Sequence, residues 1–196
     1  MTTPGESTEG NTPLSPEELA DLIPNLATKQ DLNEWERENI LLAREWAIRD
    51  RTSAPEMASD EYVRKLHRKM FSETWKWAGR YRTTEKNIGV PFPKIRERLM
   101  ALFGDVRYWL EHRSYPTDEI AVRFHHRLVV IHPFSNGNGR HARLLADAFV
   151  MKHGLATFTW GARDLIRPGE ARVRYLEALR VADDGNMRLL VAFARM

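Results

Sequence analysis

The stretch Ile131-His132-Pro133-Phe134-Ser135-Asn136-Gly137-Asn138-Gly139-Arg140-His141-Ala142-Arg143 separates two helical patterns and carries the chemistry of the chain. The apolar run Leu128 to Ile131 ends at His132, because a residue before proline is pushed out of the helical region. Two glycines and two asparagines follow, which permit tight backbone geometry close to a ligand. A new helical pattern then begins, with Leu145, Ala148 and Phe149 at core spacing and Arg140 and Arg143 in its first turns. A glycine-rich loop, a helix N-terminus and cations together hold an anion. Free N–H groups and the positive end of the helix dipole face it, and guanidiniums add paired donors. His132 lies upstream across the loop, placed to face the bound group.

This stretch resembles the signature of Fic-domain (Fic/DOC) proteins, His-x-Phe-x-Asp/Glu-Gly/Ala-Asn-Gly/Lys-Arg-x-x-Arg. His132, Phe134, Gly137, Asn138, Gly139, Arg140 and Arg143 match, and the family's acid is here the neutral Asn136. The spelling of the motif and its surroundings look like the mobile mystery protein B branch. That branch is found with a helix-turn-helix partner, mobile mystery protein A, a toxin–antitoxin-like pairing. The resemblance implies a mainly α fold, a Fic-type helical bundle with one small β-hairpin flap. It also implies transfer of AMP from ATP to a Ser, Thr or Tyr hydroxyl of a target protein.

In that reaction His132 is the candidate general base, since an ordinary imidazole pKa of about 6.5 leaves the neutral form available. The phosphate-binding candidates are Asn136, Gly137, Asn138, Gly139, Arg140 and Arg143. Gly137, Asn138 and Gly139 supply backbone donors, Arg140 clamps the α/β-phosphate region, and Arg143 reaches the outer phosphate or an inhibitory carboxylate. A purely structural Asn138, bonding the loop to itself, stays open. Phe134 reads as an anchor that buries the loop, and His141 as a surface residue.

In the family the acid helps to hold Mg²⁺ against the phosphates. Asn136 offers only an uncharged oxygen, so it is an indirect and weak metal contact, because Mg²⁺ favours carboxylate and phosphate oxygens. Three outcomes stay open: turnover with Mg²⁺ held mainly by phosphates and water, transfer of a different phosphate-containing group, or nucleotide binding without turnover. Many relatives also carry an inhibitory helix, Ser/Thr-x-x-x-Glu-Gly/Asn, whose glutamate pairs with the second motif arginine, here Arg143. Ser7-Thr8-Glu9-Gly10-Asn11 is similar but has Gly5 in the hydroxyl place, and Glu38-Asn39 has Glu34 there. Control by a separate partner protein is equally open. His125-His126 has no third ligand at metal spacing, so zinc is not expected.

The 196 residues suffice for a single Fic-like domain over 14–196, behind a flexible tail, 1–13, of Thr, Pro, Gly, Ser and Glu. Hydrophobic residues make up 42% and charged residues 29%, as in ordinary soluble domains. The net charge is only +3, so the pI of about 9.3 reflects a small imbalance and gives little reason to expect nucleic-acid binding. Without cysteine there are no disulfides or thiolate metal sites. No signal peptide and no apolar run of membrane-spanning length is read, which points to a cytoplasmic protein. A homo-oligomer is left open.

In chain order, Ser15-Pro16-Glu17-Glu18 predicts a short helix stopping before Pro24. Thr28 opens a longer one to Arg49, with Leu32, Trp35, Ile40, Ala43, Trp46 and Ala47 on its apolar face. A third starts at Ser59 and carries Tyr62, Leu66, Met70, Trp75 and Trp77 up to Gly79. Tyr81–Thr84 and Ile88–Val90 predict two short strands around Lys86-Asn87. The resemblance makes this hairpin (Thr84, Glu85, Lys86, Asn87, Ile88, Gly89, Val90) the flap that pairs with the target segment, a form of strand addition. Helices follow from Pro93 to about His112, from Thr117 to Ile131, from Gly137 to Lys152, from about Arg163 to Ala182, interrupted or delayed by Pro168-Gly169, and from Asn186 through Ala194.

Overall fold

The computed structural model describes residues 14–161 and 169–196. The tail 1–13, with the Ser7–Asn11 stretch, and the segment 162–168, with the expected helix start at Arg163, lie outside the described residues. Ser15 caps α1 (Pro16–Ala20) as expected, and the cap is a reciprocal pair: its hydroxyl accepts Glu18 N at 3.2 Å, and Glu18 Oε2 accepts Ser15 N at 2.8 Å. Thr28 and Asp31 do the same for α2 (Lys29–Arg49), at 3.1 and 3.0 Å. A single turn, α3 (Ala54–Met57), precedes α4 (Asp60–Phe71). After a long connection come α5 (Ile95–Glu111), α6 (Thr117–Ile131), α7 (Asn138–Lys152), α8 (Glu170–Asp183) and α9 (Arg188–Arg195).

The signature helices stand at the centre. α6 buries the predicted Ile120, Phe124, Leu128 and Ile131, and also Ala121, Val122, His125 and His126 on its other sides. A helix apolar nearly all round belongs in an interior, and α6 packs against α5, α7 and α9. Phe124 meets Phe103 of α5 and Phe149 of α7 edge-on, at centroid distances of 6.5 and 6.2 Å. α2 and α4 lie together, and both touch α7. Among the described residues no helix is long and apolar enough to cross a membrane.

Three local expectations change. The third predicted helix stops at Phe71, and Ser72 to Gly79 form turns. The backbone there finds tertiary partners instead: Ile23 N donates to Thr74 O at 2.9 Å, and Lys76 N to Asp21 O at 3.0 Å. Such partners outweigh the weak bias of local propensity. Trp75 and Trp77 remain buried, stacked 5.0 Å apart, while Trp35 is exposed on α2.

The hairpin does not form, and residues 81–90 hold no strand. Arg82 takes its place as an internal pin, donating from Nη1 to Thr84 O at 2.9 Å and from Nη2 to Val90 O at 2.5 Å. Carbonyls bound to a guanidinium are not available for a ladder. After residues 162–168, α8 begins at Glu170, behind Gly169.

Candidate active site

His132 closes α6 in a left-handed conformation, φ 54° and ψ 60°. Proline does drive this residue out of the right-handed helix, but into a strained region that its surroundings must hold. They do so from the flap side. Arg82 Nε donates to His132 O at 2.7 Å, Arg82 N to Pro133 O at 2.9 Å, and Val90 N to Ile131 O at 3.3 Å. Residues 82–90 therefore lie directly on the backbone of residues 131–133. Gly89 makes this approach possible: its φ is +102°, and a Cβ there would stand 2.6 Å from His132 Cβ.

Burial, followed by the charge of Arg82, pushes the His132 pKa down to about 4, against a backbone hydrogen bond at Val129 that raises it. The ring is therefore neutral at physiological pH.

The loop that follows is locked from inside. Asn138 Oδ1 accepts Phe134 N at 2.9 Å and its Nδ2 donates to Phe134 O at 2.8 Å, so its side chain is structural. Phe134 is fully buried and stacks on His67 of α4 at 3.7 Å. Gly79 N donates to His67 Nδ1 at 3.0 Å, which leaves Nε2 to carry the proton and donate to Asn136 O at 3.1 Å. Gly137 caps α7 at φ 78°, and a Cβ there would stand 2.6 Å from the Phe71 ring. The first helical bond of α7 runs from His141 N to Gly137 O. The amides of Asn138, Gly139 and Arg140 thus have no acceptor within the helix, as expected of a first turn.

His141 is a correction. It is buried, with Nε2 at 2.9 Å from Val63 O, and burial pushes its pKa down to about 4. Its i, i+4 relation to Gly137 turns it towards α4, which a motif reading gives no reason to expect.

The two arginines have different surroundings. Arg140 lies over Phe71, 5.2 Å from the ring centroid, and its Nη1 bonds Glu36 Oε2 at 2.5 Å. Glu36 is buried on α2 and also accepts Trp75 Nε1 at 2.8 Å. The carboxylate that meets a motif arginine is therefore Glu36, and it meets Arg140; Glu38 is exposed. Arg143 lies against Tyr175 of α8, its guanidinium carbon 5.3 Å from the ring centroid.

The oxygen of Asn136 accepts Gly137 N at 2.5 Å. Being neutral and already engaged, it does not fit as a protein ligand for Mg²⁺. No group of three acidic, His or Cys side chains among the described residues is arranged for a metal.

Residues missed by sequence reasoning are His67, Glu36, Arg82, Tyr175 and Glu18. The Glu18 carboxylate pairs with Lys86, in the segment that follows Arg82. His67 and Glu36 were findable as polar residues on apolar helix stripes, beside Leu66 and one turn after Leu32.

Residues 58–150 match the model of the Fic/DOC family. This segment is a Fic/DOC domain. Protein adenylyltransferase fic-1 of Caenorhabditis elegans is 36% identical over 120 residues, which are 59% of this chain and 22% of that protein. Protein adenylyltransferase Fic of Nematostella vectensis is 36% identical over 123 residues, 59% of this chain and 26% of that protein. The chain thus spans about a quarter of the length of these curated relatives. A solved fragment of C. elegans Fic-1 superposes with a TM-score of 0.60 at 28% identity, covering 82% of this chain and 48% of the fragment. A Fic domain from Bartonella quintana, described with bound ADP, shares the fold at a TM-score of 0.67 and 18% identity, covering 89% and 87%.

Proposed function

We propose that this chain is a Fic-type protein adenylyltransferase that moves AMP from ATP to a Ser, Thr or Tyr hydroxyl of a target protein. The observation that carries the reading is the conjunction at one loop: a buried neutral imidazole at its entrance, unpaired helix amides at its exit, and two guanidiniums on the first turns beyond. The adenylyltransferase names of the relatives agree with it.

His132 accepts the proton of the attacking hydroxyl, whose oxygen bonds the α-phosphorus of ATP while the α–β phosphoanhydride breaks and pyrophosphate leaves. A base with a pKa of about 4 is weak in the free protein. The negative phosphates beside it stabilise the protonated ring and raise its basicity when nucleotide binds. The amides of Asn138, Gly139 and Arg140, at the positive end of α7, hold the phosphate oxygens, and Arg140 and Arg143 neutralise them. The exposed flap from Thr84 to Val90 receives the extended target segment close to His132. A helix-turn-helix partner protein is the proposed regulator.

The test is labelled ATP with the purified chain and lysate, in buffer containing Mg²⁺ or Mn²⁺. Label on protein that disappears with His132→Ala is the expected result, and no difference between the two chains defeats the proposal. A second reading, nucleotide binding without turnover, has its own support: Asn136 is neutral and tied to Gly137, and Arg140 is already paired with Glu36. Calorimetry showing ATP binding without label transfer, with activity gained by Asn136→Asp, favours that reading.

A further inference from the structure

His125 of α6 is fully buried, with its ring 4.7 Å from that of Trp160, and its Nε2 lies 3.0 Å from Tyr175 Oη. Its Nδ1 has no partner among the described residues. Burial, with the charge of Arg143 next, holds the ring well below the ordinary imidazole range, so it is neutral and has a single N–H. A buried N–H without an acceptor is rarer and costlier than a bare lone pair. The proton therefore sits on Nε2, and His125 donates to Tyr175.

Arg143 has only donors, and its guanidinium carbon lies 5.3 Å from the Tyr175 ring centroid. A hydroxyl that accepts from His125 keeps its own hydrogen to give, and a neighbouring cation offers that hydrogen no acceptor. The oxygen stands 4.0 Å from the point where a side chain at Gly139 would begin, in the first turn of α7. Among the described residues, apart from its chain neighbours and the adjoining α7 backbone, no other atom lies within 4 Å of that point.

We propose that Tyr175 is a phosphate-binding residue of this site, its hydroxyl donating to the same nucleotide phosphate that the α7 amides and Arg143 hold. This rests on the nucleotide reading above, but not on turnover. His125 orients the hydroxyl by donating to it, and the Arg143 cation beside the ring offers its proton no acceptor, so the proton is directed to the ligand before the ligand arrives. That pre-set direction removes an ordering cost from binding.

The test is calorimetry with ATP and with adenosine on the full chain and its Tyr175→Phe variant, which keeps the ring beneath Arg143. Loss of a hydrogen bond to a charged group predicts ATP binding weaker by about tenfold, with adenosine binding unchanged. Unchanged adenosine binding also shows that the variant is folded.

Repeating the comparison in an Arg143→Ala background separates contact from positioning. A phosphate-contacting hydroxyl still loses about tenfold there, whereas one that acts only through Arg143 loses nothing, and that result overturns the assignment. Equal ATP affinity of wild type and Tyr175→Phe also overturns it. Missing label transfer defeats the adenylyltransferase reading alone, since this readout is binding. A wild-type chain that binds no ATP defeats both.

Discussion

In a Glu36→Gln variant the side chain keeps its shape and an oxygen for Trp75 Nε1, but Arg140 loses its anion. Two unit charges about 4 Å apart at an effective dielectric of about 20 attract by about 4 kcal/mol. The Arg140 side chain is 33% exposed, against 4% for Glu36, so water recovers much of this. A net destabilisation of about 1–2 kcal/mol is left. For a chain of this size that lowers Tm by about 2–8 °C.

Nucleotide affinity moves the other way. A carboxylate about 7 Å from a phosphate, on the far side of the guanidinium, repels it by about 1–2 kcal/mol, so ATP should bind about tenfold tighter to the variant. Thermal melting and calorimetry on wild type, Glu36→Gln and a Glu38→Gln control, whose site is exposed, measure both quantities. A lower Tm with unchanged or weaker ATP affinity would refute the reasoning, because Arg140 would then not be a phosphate ligand held back by Glu36.

Gly89→Ala should cut label transfer more than tenfold, by about 1.4 kcal/mol or more, while leaving ATP affinity nearly unchanged. Its Cβ would collide with His132 and not with the phosphate loop. A Gly89→Ala chain of normal activity would show that the flap does not hold His132.

Stability should fall in acid. His132 and His141 are pushed down to about 4. The fold favours their neutral forms, so their contribution is full above about pH 6.5 and is lost as pH falls towards their folded values; at pH 5 this is about 2 kcal/mol each. Asp147, raised to about 6 by burial, works in the opposite direction, returning about 1 kcal/mol at pH 5. The buried rings of His67 and His125, also held below the ordinary imidazole range, act in the same direction as His132 and His141, so urea denaturation at pH 7 and pH 5 should show a net loss of at least about 3 kcal/mol; equal midpoints would contradict the burial of these rings.

The starts of α1, α2 and α4 were legible at Ser15, Thr28 and Ser59, because a capping side chain bonds a backbone group three residues away and needs no partner from elsewhere. The break at His132-Pro133, the glycine loop and the restart of the helix were legible for the same reason, and the proposed anion binding and base rest on them. The α7 helix and its cations could be placed from spacing alone.

What the sequence could not determine is where distant side chains meet. Trp75 leaves its expected helix because residues 21–23 claim the neighbouring backbone, and Arg82 replaces a hairpin ladder by binding its carbonyls. His141 turns inwards to a carbonyl of α4, Glu36 closes on Arg140 across 104 positions, and Tyr175 reaches His125 across 50. Capping and periodicity are short-range and can be read along the chain. Burial and the pairing of charges depend on separations that exist only after the helices have packed, and they decide which of the motif's residues are free to act.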